Sequence, residues 1–273
     1  MTSPETLNTA LDCAFRAGTA ILSIYETDFS VQRKEDNSPL TQADMAAHAI
    51  IKETLEQTFS LPVLSEEDSR IPYEERRRWR KFWLVDPLDG TKEFIKKNGE
   101  FTVNIALVED AAPTLGVVYA PARQTVYFAC PETGPRRLRQ VNPHRAATDL
   151  DALLQSSEPL PAEPERSTLR VVASRSHCNE ETRAFIRRLE ETYGAAERVS
   201  SGSSLKLCLV AEGAADVYPR IAPTMEWDTA AADAVVRATG GRVVQHPGGD
   251  PLQYNKPDLK NPHFVVYSRA MSL

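Results

Sequence analysis

The chain has 273 residues, 41% hydrophobic and 26% charged, a balance that suits a folded protein of one large or two small domains and not a disordered one. Its formal net charge of −6 argues against bulk attraction to nucleic acid or to an acidic membrane, so an anionic substrate would have to be met by metal ions and a few local cations. The start, Met1-Thr2-Ser3-Pro4-Glu5, lacks the basic and apolar regions of a secretion signal, and no apolar run reaches membrane-spanning length. Cys13, Cys130, Cys178 and Cys208 follow no metal-binding or redox spacing and read as small core residues of a protein from a reducing compartment, which predicts a cytoplasmic location.

Apolar positions Leu7, Leu11, Phe15, Gly18, Ile21, Leu22 and Tyr25 recur at helical spacing and predict an amphipathic helix over residues 5–25. A second helix is expected over 42–59, with Thr41 as its N-cap after Ser38-Pro39-Leu40. Pro62-Val63-Leu64 reads as a short strand leading into Ser65-Glu66-Glu67-Asp68, and residues 70–81 read as polar and exposed. Strands are expected at 82–85, 101–108, 114–119 and 125–129, the last three as an antiparallel meander. Residues 131–168 hold six prolines and little periodicity, which marks a linker or surface excursion. A strand at 169–173 and helices at 179–193, 203–213 and 228–239 follow, the last closed by Gly240-Gly241. Two lobes account for this order: an N-terminal α+β lobe over 1–140, an excursion over 141–165 and a C-terminal α/β lobe over 166–273.

The most informative stretch is Asp86-Pro87-Leu88-Asp89-Gly90-Thr91, placed where the apolar run Phe82-Trp83-Leu84-Val85 ends. Pro87 has no N–H for a strand ladder, and Gly90 permits a tight turn or close approach to a ligand. Two carboxylates three residues apart are costly to place unless something cationic neutralises them. Hard divalent cations take oxygen ligands of this kind, with phosphate completing the shell. Glu66-Glu67 and Asp228 are further acidic clusters at segment ends, enough to build a pair of metal ions that clamps an in-line displacement. Taken singly they have plainer readings. Glu66-Glu67-Asp68 is a solvated acidic loop, Asp228 a helix N-cap, and Asp44 the acidic partner of Thr41 in a capping-box-like pair. A covalent aspartyl-phosphate is disfavoured by the three-residue spacing, and neither an EF-hand nor a Walker-type loop is present.

Trp83-Leu84-Val85-Asp86-Pro87-Leu88-Asp89-Gly90-Thr91 resembles the central motif of the inositol monophosphatase superfamily of lithium-sensitive, Mg²⁺-dependent phosphatases. Glu226-Trp227-Asp228, Leu64-Ser65-Glu66-Glu67 and Ser38-Pro39-Leu40-Thr41-Gln42-Ala43-Asp44 resemble its other motifs, in order, over roughly residues 7–245. Lys92-Glu93-Phe94-Ile95, Asn98-Gly99-Glu100-Phe101-Thr102-Val103-Asn104-Ile105, Val172-Ala173-Ser174-Arg175-Ser176-His177 and Gly202-Ser203-Ser204-Leu205-Lys206 are similar to the CysQ-type 3′(2′),5′-bisphosphate nucleotidase branch.

The resemblance implies a layered αβαβα sandwich of two lobes. It implies hydrolysis of the 3′-phosphate of adenosine 3′,5′-bisphosphate, with phosphoadenylyl sulfate as a second substrate, clearing a by-product of sulfate assimilation. The alternative within the superfamily is the same chemistry on an inositol mono- or polyphosphate. Glu66, Asp86 and the carbonyl of Leu88 would hold one Mg²⁺; Asp86, Asp89 and Asp228 a second; and Glu67 would support a third through water. Thr91 with Asp44 would orient and deprotonate the attacking water, and the N–H groups of Gly90 and Thr91 would hold phosphate oxygens. His177, Ser203, Lys206 and Arg220 would meet the second phosphate. Alone, Lys206 reads as a solvated helix lysine, Arg220 as a surface cation and His177 as a structural histidine. Peripheral attachment to the cytoplasmic face of the inner membrane belongs to the same resemblance, without a basic amphipathic helix to support it. The oligomer could be a monomer or a homodimer.

Overall fold

The computed structural model describes residues 3–27, 39–142, 149–162, 168–173 and 179–271. Helix α1 (Pro4–Tyr25) buries Leu7, Leu11, Gly18, Ile21 and Leu22 along one face, and Ser3 closes its start in a reciprocal capping box with Thr6. Helix α2 (Pro39–Thr58) starts before Thr41, so Thr41 lies in its first turn and is not the N-cap that the sequence predicts. Proline tolerates the first helical position because the N–H it lacks would be unpaired there.

Seven strands follow in one sheet whose order is the order of the chain: β1 (Val63–Ser65), β2 (Lys81–Asp89), β3 (Thr102–Glu109), β4 (Ala112–Ala120), β5 (Thr125–Cys130), β6 (Gly134–Arg139) and β7 (Glu158–Pro159). Only the β1–β2 pair is parallel; the rest form the expected meander, extended by β6 and β7. Short helices α3 (Tyr73–Arg76), α4 (Thr91–Ile95) and α5 (Leu150–Ser156) lie between these strands. The second sheet runs β11 (Arg242–Gln245), β12 (Phe264–Tyr267), β10 (Val217–Arg220), β8 (Arg170–Val172), β9 (Glu197–Val199), with α6 (Glu180–Tyr193), α7 (Leu205–Ala211) and α8 (Ala230–Ala238) among them.

The pleat of each strand divides its side chains between two cores. Trp83, Val85, Ile105, Val117 and Phe128 pack against α1 and α2. Leu84, Ala106, Val118 and Ala129 face the opposite way, onto α7, α8 and one face of the second sheet. The other face of that sheet packs on Phe185, Ile186 and Leu189 of α6. The layers therefore run helix pair, sheet, helix pair, sheet, helix, which is the αβαβα sandwich.

Three expectations change. The strand expected at 82–85 continues through Pro87 to Asp89. Asp86 pairs with Asn104 and Asp89 with Thr102, leaving two residues on β2 against one, Val103, on β3, so Pro87-Leu88 forms a bulge. A proline is tolerated there because the ladder is already interrupted. Second, residues 70–81 are not uniformly exposed: Arg76 is 3% exposed and binds the carbonyls of Ile71 and Lys256 and the Asn255 side chain. Third, the stretch expected as a proline-rich excursion contains β6, α5 and β7. Its Arg137 is buried, bonded to Glu158 at 2.7 Å and to Glu212 at the end of α7, and Glu212 also accepts from the Tyr127 hydroxyl.

Helix α8 presses directly on β4. A Cβ at Gly116 would lie 2.1 Å from the carbonyl oxygen of Ala231 and 2.9 Å from the Ala234 side chain. Gly116→Val is expected to cost about 3 kcal/mol through overpacking, read as a lower urea midpoint. A change within about 0.5 kcal/mol would show that α8 can retreat from the sheet.

Candidate active site

The parallel pairing of β1 with β2 sets Ser65 beside Val85, and the next N–H, that of Glu66, bonds the Val85 carbonyl at 3.1 Å. Glu66 and Glu67 thus leave the strand beside Asp86. The bulge in β2 lets both Asp86 and Asp89 serve one site, because the extra residue re-aims the chain between them. Asp86 is 1% exposed, and its Oδ1 accepts from the Leu88 N–H at 3.1 Å. Asp228 arrives from the second half of the chain, in the turn before α8. It does not cap that helix, as its plainer reading had it; Thr229 holds the cap position, and Asp228 Oδ2 accepts from the Met225 N–H at 2.9 Å.

Carboxylate oxygens of Asp86, Asp89 and Asp228 lie within 4.8 Å of one another. Burial pushes the Asp86 carboxyl well above the usual range, and the charges of Glu66, Asp89, Asp228 and Asp44 push it further. Burial, with Asp89, raises Asp228 to about 7, against the Met225 N–H and Arg220, which favour its charged form. A cation offsets the burial and mutual repulsion that raise Asp86 and Asp228, and an all-oxygen donor set suits a hard divalent ion. The residues present fit a metal.

Gly90 turns the chain out of β2 with φ of +100°, and a Cβ there would lie 3.2 Å from Phe101 Cα. Only glycine meets both demands. Thr91 then opens α4, which packs on α2, the helix carrying Asp44.

Asp89, Asp228, Ser203, Lys206, Tyr218 and Arg220 line one cleft. Lys206, in the first turn of α7, is only 9% exposed, which overturns its plainer reading as a solvated lysine. Its ammonium lies 6.0 Å from the centre of the Tyr218 ring, and burial lowers it to about 8 despite the attraction of Asp89. Arg220, at the end of β10, bonds the Pro223 carbonyl, while its buried Nε has no partner among the described residues. Ser203 has a positive φ of 53°, and its hydroxyl donates to Asp89 Oδ2 at 2.6 Å. It is engaged by a carboxylate and not open to the cleft alone. His177, with Ser38 and Cys178, lies outside the described residues. Tyr218, Ser204, Thr102 and Asn104 were not singled out from sequence. The signal for the last two is a pair of polar residues at alternate positions in an apolar strand.

The model of the inositol monophosphatase family matches residues 3–270. The chain is 44% identical to the 3′(2′),5′-bisphosphate nucleotidase CysQ of Escherichia coli (strain K12) over 270 residues, 95% of this chain and 98% of that protein. It is also 44% identical to the CysQ of Salmonella typhimurium, over 93% of this chain and 96% of the relative. Among solved structures it is similar to CysQ from Bacteroides thetaiotaomicron, with a TM-score of 0.90, 50% identity and 96% of each chain covered. An inositol monophosphatase from Zymomonas mobilis shares the fold, with a TM-score of 0.71 at 21% identity, over 96% of this chain and 92% of that one. The chain belongs to the inositol monophosphatase family.

The raised carboxyls make a prediction about the cation-free protein. A group whose folded pKa lies above its unfolded value adds stability at low pH that is lost as pH climbs through the folded value. For Asp228 that window runs from an unfolded value of about 4 to about 7. In chelator, the melting temperature should fall between about pH 4 and about pH 7 more steeply in the wild type than in Asp86→Asn. Equal slopes would show that the carboxylates do not repel one another as their burial requires.

Proposed function

We propose that this member of the inositol monophosphatase family is a magnesium-dependent 3′(2′),5′-bisphosphate nucleotidase, hydrolysing the 3′-phosphate of adenosine 3′,5′-bisphosphate to AMP and phosphate. Phosphoadenylyl sulfate is a second substrate of the same form, and the reaction would clear a by-product of sulfate assimilation. The observation that carries this reading is one cleft lined both by the carboxylates Asp89 and Asp228 and by the cations Lys206 and Arg220. A molecule that bears phosphate at two positions matches that arrangement. The names of the two 44% identical relatives support it.

Glu66, Asp86, Asp89, Asp228 and the Leu88 carbonyl would hold Mg²⁺ as two ions, with Glu67 reaching a third through water. When bound, the metal supplies positive charge for the phosphoryl group and for the oxygens that attack and leave it. Thr91 would orient the attacking water, with Asp44 accepting its proton through the Thr91 hydroxyl. The N–H groups of Gly90 and Thr91 would hold phosphate oxygens. Lys206 and Arg220, with His177 and Ser203, would hold the second phosphate. Lys206 suits that role because a buried ammonium that forms no ion pair among the described residues gains most from an incoming anion. Water attacks the 3′-phosphorus directly, the bond from phosphorus to the ribose 3′-oxygen breaks, and that oxygen leaves as the 3′-hydroxyl of AMP, with no aspartyl-phosphate.

Phosphate release from adenosine 3′,5′-bisphosphate, inositol 1-phosphate and fructose 1,6-bisphosphate tests the assignment. The nucleotide should be preferred; a clear preference for the inositol or sugar phosphate overturns it. Lys206→Met should raise KM for the bisphosphate about ten- to a hundredfold, the loss of one charged hydrogen bond, and leave a monophosphate nearly unchanged. Equal effects on both would remove Lys206 from the second-phosphate subsite.

A further inference from the structure

Thr102 and Asn104 lie two residues apart on β3 and so share one face of the sheet. Across the bulge, Thr102 pairs with Asp89 and Asn104 with Asp86. Both are buried, at 0% and 1% exposure, and neither lines the cleft. Their polar ends are linked to it all the same. The Asn104 amide lies 2.8 Å from Ser204 Oγ, Ser204 Oγ 2.8 Å from Thr102 Oγ1, and Thr102 Oγ1 2.5 Å from Ser203 Oγ. Ser203 Oγ then reaches Asp89 Oδ2 at 2.6 Å.

The direction is given at the two ends of this chain: Ser204 Oγ donates to Asn104 Oδ1, and Ser203 Oγ donates to Asp89 Oδ2. Between them the Thr102 hydroxyl lies within hydrogen-bond distance of both serine hydroxyls. Chains of this kind polarise one another, and the last bond, to a charged acceptor, is the strong one. The Ser204 backbone N–H donates to the same Asp89 oxygen at 2.7 Å. Two donors on Oδ2 fix the rotation of the carboxylate and leave Oδ1 for a cation.

We infer that Asn104, Ser204 and Thr102 are positioning residues that act through Ser203 to set the Asp89 carboxylate, and thereby the affinity of the acidic cluster for its divalent cation. The inference rests on the metal reading of the cluster and not on the identity of the substrate.

The test is calorimetric titration of Mg²⁺ into the substrate-free, full-length protein, alongside the Mg²⁺ dependence of phosphate release. Thr102→Val and Asn104→Leu should weaken Mg²⁺ binding about tenfold, the worth of one charge-assisted hydrogen bond. The Mg²⁺ concentration for half-maximal turnover should rise in step, with kcat at saturating metal within about threefold of wild type. Thr102→Ser, which keeps the hydroxyl, should bind as the wild type does. Ser203→Ala, at a half-buried position, reads the last link should either core variant fail to fold. Wild-type affinity in Thr102→Val or Ser203→Ala, or loss without rescue in Thr102→Ser, overturns the chain. Absence of Mg²⁺ binding in the wild type overturns the metal reading and this inference with it, whatever the substrate assay shows.

Discussion

The mutual repulsion of Asp86, Asp89 and Asp228 is the term around which the protein is built. Two unit charges 4 Å apart at a partly screened site repel by about 4 kcal/mol, and here Glu66 and Asp44 add to the field at Asp86. A folded chain has no reason to accept that cost for its own stability. It does so by spending stability gained elsewhere, in two large apolar cores on either side of the first sheet. What the cost secures is a place where a divalent cation is worth more than it would be in water.

Holding the cluster requires that its members cannot move apart. Asp86 and Asp89 are fixed by the ladder with β3 on either side of the bulge. Asp228 comes from a turn and needs a different support. Its neighbour Glu226 is fully buried and accepts from the N–H groups of Asn255 and Lys256 and from the Lys256 ammonium. Asn261 donates to the Met225 carbonyl and to Thr229 on the other side of the same turn. Arg76 in turn bonds Asn255 and the Lys256 carbonyl, which ties this bracket to the first lobe. Glu226 is therefore a brace and not a ligand, although it stands in the same short motif as Asp228. Replacing a well-packed buried ion pair need not destabilise a protein, but leaving one half unpaired does.

Much of this was legible in the sequence because the relevant signals are local or periodic. Amphipathic spacing located α1 within a residue, and the acidic segment ends located the three carboxylates that the fold gathers, Asp86, Asp89 and Asp228. The errors have physical causes as well. Pro87 reads as the end of a strand unless the bulge that accommodates it is known, and a bulge is a property of two strands. Thr41 and Asp228 look like helix caps because their residue types suit caps, yet Pro39 and Thr229 already start those helices. The excursion over 131–168 hides β6 and β7, which are stabilised by pairing and by the buried Arg137 and not by any apolar alternation of their own. Lys206 has an ordinary helical sequence context; only its packing over Tyr218 makes it a buried charge.

The site also divides its tasks between the lobes and joins them at one carboxylate. The first sheet brings Asp86 and Asp89, while α7 and β10 bring Lys206 and Arg220. The segment that delivers Lys206 is the one that holds Asp89: Ser203 and Ser204 bond its Oδ2 immediately before α7 begins. The left-handed backbone at Ser203, and Gly202 beside it, whose Cβ position would lie 2.5 Å from the Glu93 side chain, fix how that segment approaches the cluster. The residue proposed to meet an anion, Lys206, and the hydrogen bonds that hold Asp89 thus belong to one continuous segment. Under the proposed function, a displacement of α7 would alter both together, so connectivity alone would couple substrate charge to cation affinity.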